Sequence, residues 1–290
     1  MGRLLAILGF AAAVAACSTP AAPPPEGRTL VDDLGRQVAV PAHPARVLSL
    51  APSNTEWMFA LGAADRLVGR TDACDAPPEA ARVPSVGGLF PPDLERILVA
   101  RPDLVLMIDG HADLRQTLEA RGIPVLVLQP ATVDAALADV RLLGRALGRE
   151  AAADALVRQI QAELAAIPPA APARRVFYEV WHDPVTGAGP ATFVGDLLRR
   201  AGGVNVLDAA AGPWPVVPLE TLVRARPDVI IAGSSASAAA ILGGERPGLS
   251  ATPAAQAGRV HAIPDPAWLA RPGPRLGRGL AWLAETLRRP

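Results

Sequence analysis

"LERILVARPDLVLMI" at residues 94–108 and "LETLVRARPDVIIAG" at residues 219–233 are nearly the same phrase, written 125 residues apart. Each carries apolar residues at helical spacing, then Arg-Pro-Asp, then a run of β-branched and apolar residues. Proline disfavours helix in the residue before it, so each helix stops ahead of the Pro and a strand follows. Any helix–turn–strand unit wants this apolar spacing. It does not require Glu95 and Glu220, which stand at the same offset in the two copies. An acidic residue near a helix N-terminus is favoured by the helix dipole, which is one account of them.

The same alternation fills the chain on both sides of each copy. "RTLVDDLGRQVAVP" alternates about a turn at Asp33-Leu34-Gly35 and reads as a hairpin. "RVLSLA", "RLVGRT", "LVLMI" and "PVLVLQ" are short, almost wholly apolar strands separated by helical segments. In "PSNTEWMFALGA", Ser53 and Glu56 have the spacing of a capping box, and Gly62 is the expected stop. Apolar strands alternating with helices are the pattern of a parallel sheet covered on both faces. "TVDAALADVRLLGRALG" ends at Gly148, and "REAAADALVRQIQAELAAI" then runs to Pro168-Pro169. The second segment is a rod of roughly 28 Å. "RRVFYEVW" restarts the strand-and-helix alternation, which continues to the C-terminus. The fold class expected is therefore α/β: two Rossmann-like lobes with parallel sheets, joined by one long rigid α-helix. The boundaries expected are an N-terminal lobe at 29–147, a linking helix at 148–168 and a C-terminal lobe at 169–290.

Ahead of the first lobe, Arg3 precedes "LLAILGFAAAVAA", an apolar run too short to span a bilayer comfortably. Small residues then lead into Cys17. "VAAC" resembles a bacterial lipobox, which implies a signal peptide over 1–17 and lipidation of Cys17; secretion with cleavage at a small-x-small site is the alternative. "STPAAPPPEG" has too few bulky apolar side chains to fold, so 18–28 reads as a Pro-rich tether. Both versions place the protein outside the cytoplasm, periplasmic and, with the lipid, anchored to a membrane. With Cys17 lipidated, Cys74 has no disulfide partner. Lys and Arg together number 28, matching 28 Asp and Glu, and a chain with that balance lacks the cationic surface that nucleic acid demands.

"RVLSLAPSNTEWMFALGAADRLVG", "DLERILVARPDLVLM", "LLRRAGGVNV" and "PWPVVPLETLVRARPDVIIA" resemble the periplasmic substrate-binding proteins of ABC importers that carry metal chelates and corrinoids. The resemblance runs from about residue 29 to the end. "GPWPVVPLETL" narrows it toward the cobalamin-binding members, whereas "SNTE" and "ARPDLV" belong to the wider superfamily. The resemblance implies a ligand in the cleft between the lobes, a monomeric receptor and an ABC importer permease dimer as its partner. It also implies that Glu95 and Glu220, one on each lobe, pair with arginines of that permease. The ligand implied is cobalamin or a related corrinoid, with no intrinsic cofactor and no metal site of the protein's own. A ferric siderophore or haem is the alternative.

Ligands in open α/β sheets sit beyond the carboxyl ends of the strands. That rule points to Pro52 and Ser53 after the first core strand, Arg70 and Asp72 after the next, His111 after "LVLM", and Trp181 and His182 after "VFYE". Trp214 and Trp268 lie in loops. Aromatic faces with a few hydrogen-bonding groups suit a broad apolar ring. By the resemblance, Trp214 matches an aromatic lining the cobalamin cleft and Phe90 lies close to another. Core packing is the competing account of each Trp. The family pattern is departed from at Ala73, near the place of a tyrosine, at Leu89, in the place of a tryptophan, and at Ala201, in the place of a half-disulfide. His111 and His182 also offer imidazoles that can ligate a metal, and Arg70 and Arg271 could meet the acidic groups of a siderophore. No nucleotide loop, nucleophile elbow or zinc-protease motif is present, and "GSSAS" at 233–237 reads as a turn. The protein is therefore not expected to be an enzyme. A secreted hydrolase is the distant alternative.

Overall fold

The computed structural model describes residues 27–207 and 212–290. The expected signal segment, Cys17 and all of the tether but its last two residues lie outside them.

Strands β1 (Gly27–Val31) and β2 (Gln37–Pro41) form the antiparallel hairpin expected from the alternation, and the first strand begins two residues before the expected start of the lobe. Then follow β3 (Val47–Ser49), α1 (Pro52–Ala60), β4 (Leu67–Arg70), α2 (Leu94–Val99), β5 (Leu104–Met107), α3 (Ala112–Glu119) and β6 (Val125–Val127). The four strands β4-β3-β5-β6 are parallel in that order. Strands β3, β5 and β6 are buried along their whole length, as a sheet covered on both faces requires.

Two helices follow, α4 (Val133–Leu147) and α5 (Glu150–Ala165), packed as an antiparallel pair. Gly148 ends α4 in the left-handed conformation (φ 65°), and Arg149 N–H returns to Gly144 O at 2.7 Å. At Gly144 a Cβ would lie 2.5 Å from that of Ala153, so the crossing admits no side chain there. The C-terminal lobe holds β7 (Arg174–His182), β8 (Val185–Gly187), α6 (Phe193–Arg200), β9 (Gly203–Asn205), α7 (Leu219–Ala225), β10 (Val229–Ala232), α8 (Ser235–Leu242), α9 (Pro247–Ser250), α10 (Pro253–Gln256), β11 (Val260–Ala262), α11 (Ala267–Ala270) and α12 (Leu276–Arg288). Strands β11, β10, β7 and β9 are parallel neighbours, while β8 folds back antiparallel on the far half of β7.

The chain thus has two α/β lobes, and its linking helix α5 lies within the expected 148–168. Helix α4 runs beside it and is a second bridge. Its first N–H, at Val133, donates to Asp196 of the C-terminal lobe at 2.9 Å. Its last carbonyl, at Leu147, accepts from Arg66 of the N-terminal lobe at 2.8 Å. One apolar core runs through both helices into both lobes, from Leu30 and Leu104 through Leu143 and Val157 to Leu197 and Leu283.

The capping box does not form. Pro52 occupies the first helical position, so Ala51 is the N-cap and Ser53 falls inside the first turn. Glu56 is instead buried against arginines described below.

The repeated phrase is duplicated in detail. Arg101 and Arg226, each just before its Pro, have φ of 45° and 46°. They close the two helices in the left-handed conformation, and among the described residues no other non-glycine residue has positive φ. Asp103 accepts from the Arg46 N–H at 3.0 Å, and Asp228 from the Arg175 N–H at 2.8 Å. Arg46 donates through its guanidinium to Ala100 O (2.6 Å) and Arg101 O (2.9 Å), and Arg175 to Ala225 O (2.7 Å). In each lobe an arginine at the start of one strand thereby satisfies the helix C-terminus leading into its neighbour. Arg46→Ala and Arg175→Ala should each destabilise the protein by about 1 kcal/mol, the worth of such hydrogen bonds at a partly exposed site. Because the sites lie in different lobes, the double variant should lose the sum; denaturation midpoints of the four proteins check this.

Candidate functional site

A cavity of about 470 Å³ opens between the lobes. The N-terminal lobe lines it with residues beyond its strand ends: Ala51, Pro52 and Ser53 after β3, Ala73 after β4, Ile108 after β5, and Leu128 to Ala131 after β6. The C-terminal lobe contributes the start of α6 at Thr192, Phe193 and Val194, then Pro213 and Trp214, and Ala270 to Pro272. Thr192 caps α6, accepting from Gly195 N–H at 3.0 Å, and Phe193 beside it is buried in the main core while lining the cavity. Trp214 is half exposed on the cavity wall.

Of the residues singled out from sequence, the structure brings Pro52, Ser53 and Trp214 together on this cavity. It places the others elsewhere. Arg70 ties down its own loop, donating to Ala80 O and Thr71 O, each at 2.8 Å. Asp72 accepts from Ser85 Oγ at 2.5 Å. Trp268 packs against the main core. Trp181 and His182 sit exposed at the end of β7 on the β7–β8 hairpin, their rings 5.2 Å apart, with the Trp181 indole N–H on Asp183 O. His111 is buried at the start of α3 beneath Phe90, the two rings stacked 4.4 Å apart. Burial holds the imidazole pKa below its usual value against the opposing pull of Asp109. Neither histidine lines the cavity.

The strand-end rule would also have found Gln129 and Ile108. Leu89 and Ala73, noted as departures from the family pattern, both line the cleft. Phe193 carries no sequence signal, because its place, in the main core and at the cavity wall, is set by how α6 packs against α4 and α12.

Arg271 is the one charged residue among the described lining residues. Its guanidinium donates to Asp75 (2.5 and 3.4 Å), to Glu56 (3.4 Å) and to Ala73 O (3.3 Å). Behind it Arg275 holds Glu56 through two bonds of 2.8 and 3.0 Å and reaches Asp265 at 2.9 Å. Glu56 and Asp75 belong to the N-terminal lobe and the arginines to the C-terminal segment, so these pairs cross between the lobes. The Trp57 indole N–H crosses with them, to Pro272 O at 2.9 Å. "GSSAS" supplies a helix cap at Ser234 and, from Ser237 Oγ, a 2.5 Å hydrogen bond to buried Glu179, which Arg246 neutralises.

Beneath the cleft wall, buried Asp139 on α4 faces Asp33 of the β1–β2 turn. Asp33 accepts from Gln129 N–H at 2.5 Å, and Gln129 Oε1 accepts from Asp109 N–H at 3.2 Å. Burial, reinforced by the Asp33 charge, pushes the Asp139 carboxyl up to about 8.

The residues 47–267 match the family model described as periplasmic binding protein. The chain belongs to that family, the substrate-binding proteins that serve ABC transporters. Such proteins deliver substrates and are not enzymes. It is 32% identical to an uncharacterised ABC transporter substrate-binding lipoprotein, YvrC, of Bacillus subtilis, over 89% of this chain and 84% of that one. It is 30% identical to a vitamin B12-binding protein of Pectobacterium carotovorum, over 67% of this chain and 73% of that protein. Among solved structures, the apo periplasmic haem-binding protein RhuT of Roseiflexus superposes with a TM-score of 0.75 at 28% identity, covering 84% of this chain and 97% of its own. Among the described residues no helix is long and apolar enough to cross a membrane.

The Asp139 carboxyl gives a pH dependence of fixed sign. Its native pKa is about 8, against the ordinary carboxylate range near 4 in the unfolded chain. Between those values the native state holds a proton that the unfolded chain has released, so this group makes stability fall as pH rises from about 4 to 8 and level off above. Asp139→Asn should remove that component. Denaturation midpoints at pH 5 and pH 8 should differ less in the variant than in the wild type.

Proposed function

We propose that this protein is the receptor that captures cobalamin or a related corrinoid and delivers it to the permease of an ABC importer, without a resident cofactor. The composition of the cleft wall carries this reading. It offers Trp214, Phe193, Leu89 and Ile108 as apolar faces and Ser53, Gln129 and Thr192 as neutral hydrogen-bonding groups. No His, Tyr, Cys or Met stands among the described lining residues, so the protein brings no axial ligand to haem iron there. A corrinoid needs none, since its cobalt is held by the macrocycle and its rim presents amides. A ferric siderophore of high negative charge would meet a single guanidinium already engaged by Asp75 and Glu56. The relatives that bind vitamin B12 support the same choice. Haem is the second reading, favoured by the likeness to the haem-binding structure.

Calorimetric titration with cyanocobalamin should give saturable one-to-one binding, and Trp214→Ala should weaken it by about 2 kcal/mol, roughly thirtyfold. No heat, and no coloured ligand carried with the protein through gel filtration, would sink the corrinoid reading and make haem the next ligand to try.

Delivery requires a face for the permease. Glu95 and Glu220 are each the second residue of their helix, α2 and α7, exposed and in no ion pair among the described residues. Two carboxylates on separate lobes suit a partner that presents paired cations, fixing register and speeding encounter. Reversing both charges with Glu95→Lys and Glu220→Lys should lower corrinoid uptake in cells while leaving the calorimetric affinity intact; unchanged uptake refutes the docking role.

A further inference from the structure

The ion-pair cluster at the cleft wall is unbalanced. Glu56, Asp75 and Asp265 supply three carboxylates, and Arg271 and Arg275 supply two guanidiniums. The three carboxylates are held differently. Glu56 is buried, with only 5% of its side chain exposed, and it is fixed by Arg275 through both oxygens. A Cβ on Gly273 would lie 3.1 Å from Glu56 Oε2, so the backbone passes close to the carboxylate and leaves little room for a side chain there. Asp265 pairs with Arg275 and accepts from the Ala267 N–H at 2.9 Å. Asp75 is 67% exposed, and Arg271 is its ion-pair partner. Arg271 in turn lines the cleft, whereas Asp75 does not.

We propose that Asp75 is a specificity-determining residue, an internal counter-ion that occupies Arg271 and sets the cleft's preference against ligands carrying a negative group. Glu56 fixes where Arg271 stands, and Asp75 decides how much of its charge faces the cavity. An anionic ligand must take Arg271 from Asp75, which then returns to water. A neutral ligand leaves the pair in place. The Arg271 hydrogen bond holds the Asp75 carboxyl below its usual pKa, so the counter-ion is ionised at neutral pH. The inference rests on the reading that the ligand sits against the Arg271 wall, and it names the charge class that the wall selects.

The test uses two probes of one shape, 8-anilinonaphthalene-1-sulfonate and uncharged N-phenyl-1-naphthylamine, followed by fluorescence on the purified protein. Asp75→Asn should bind the sulfonate about two- to fivefold more tightly, the range for a partly exposed ion pair, and bind the amine unchanged. Adding Arg271→Gln should abolish the gain. An equal gain for both probes, no gain, a gain that survives Arg271→Gln, or no saturable sulfonate binding to either protein would each overturn the proposal. Cyanocobalamin is titrated in parallel. Its failure to bind the wild type would sink the corrinoid reading, while the naphthalene probes would still decide the role of Asp75.

Discussion

The apolar core shared by α4 and α5 with both lobes is the constraint on which the rest depends. One face of the sheet in each lobe packs into this shared core, while the opposite face closes over a smaller cluster within its own lobe. The crossing at Gly144 sets how closely the two helices lie. The Asp196 bond at one end of α4 and the Arg66 bond at the other fix which lobe holds which end. The cleft is what remains between two bodies held at that separation. Its N-terminal wall is made of strand-end loops because parallel strands bring those ends together on one side, and its C-terminal wall is made of the start of α6 and two further loops.

Across the cleft the interactions change character. Behind it the lobes are joined by apolar packing, which is strong and indifferent to direction. At the Glu56–Arg271–Arg275 cluster they are joined by charge, which is directional and answers to whatever enters. Glu56 buried alone would be costly, and two guanidiniums together stabilise it. The buried Asp139 is the opposite solution to the same difficulty. With no arginine beside it, the group keeps its proton.

The duplicated phrase was legible in the sequence because helix periodicity, Pro and β-branched runs are local signals. The two-lobe architecture, the parallel sheets implied by alternation and the stop at Gly62 followed from the same kind of signal. The bridge was legible only in part. Both helical segments were plain, but their antiparallel packing depends on Gly148 and Gly144, whose roles are visible only once the helices meet. In the cleft, Pro52, Ser53 and Trp214 could be read, two from the strand-end rule and one from a motif. Arg70 and His111 satisfied that rule as well, yet folded back onto their own lobe. The rule gives the end of a strand and not the direction of the side chain. Glu56 was misread as a cap because its partners lie more than 200 residues away in the chain.

The chain passes from one lobe to the other three times, before α4, along α4 and along α5, and the C-terminal segment then reaches back to α1. A joint made of one strand can swing about a point. A joint made of several crossings side by side is stiffer, because rotation about one shears the others. The two lobes therefore form a cleft whose width is largely set before a ligand arrives. Little reorganisation accompanies capture, which favours fast, tight binding. The same stiffness that favours capture works against release.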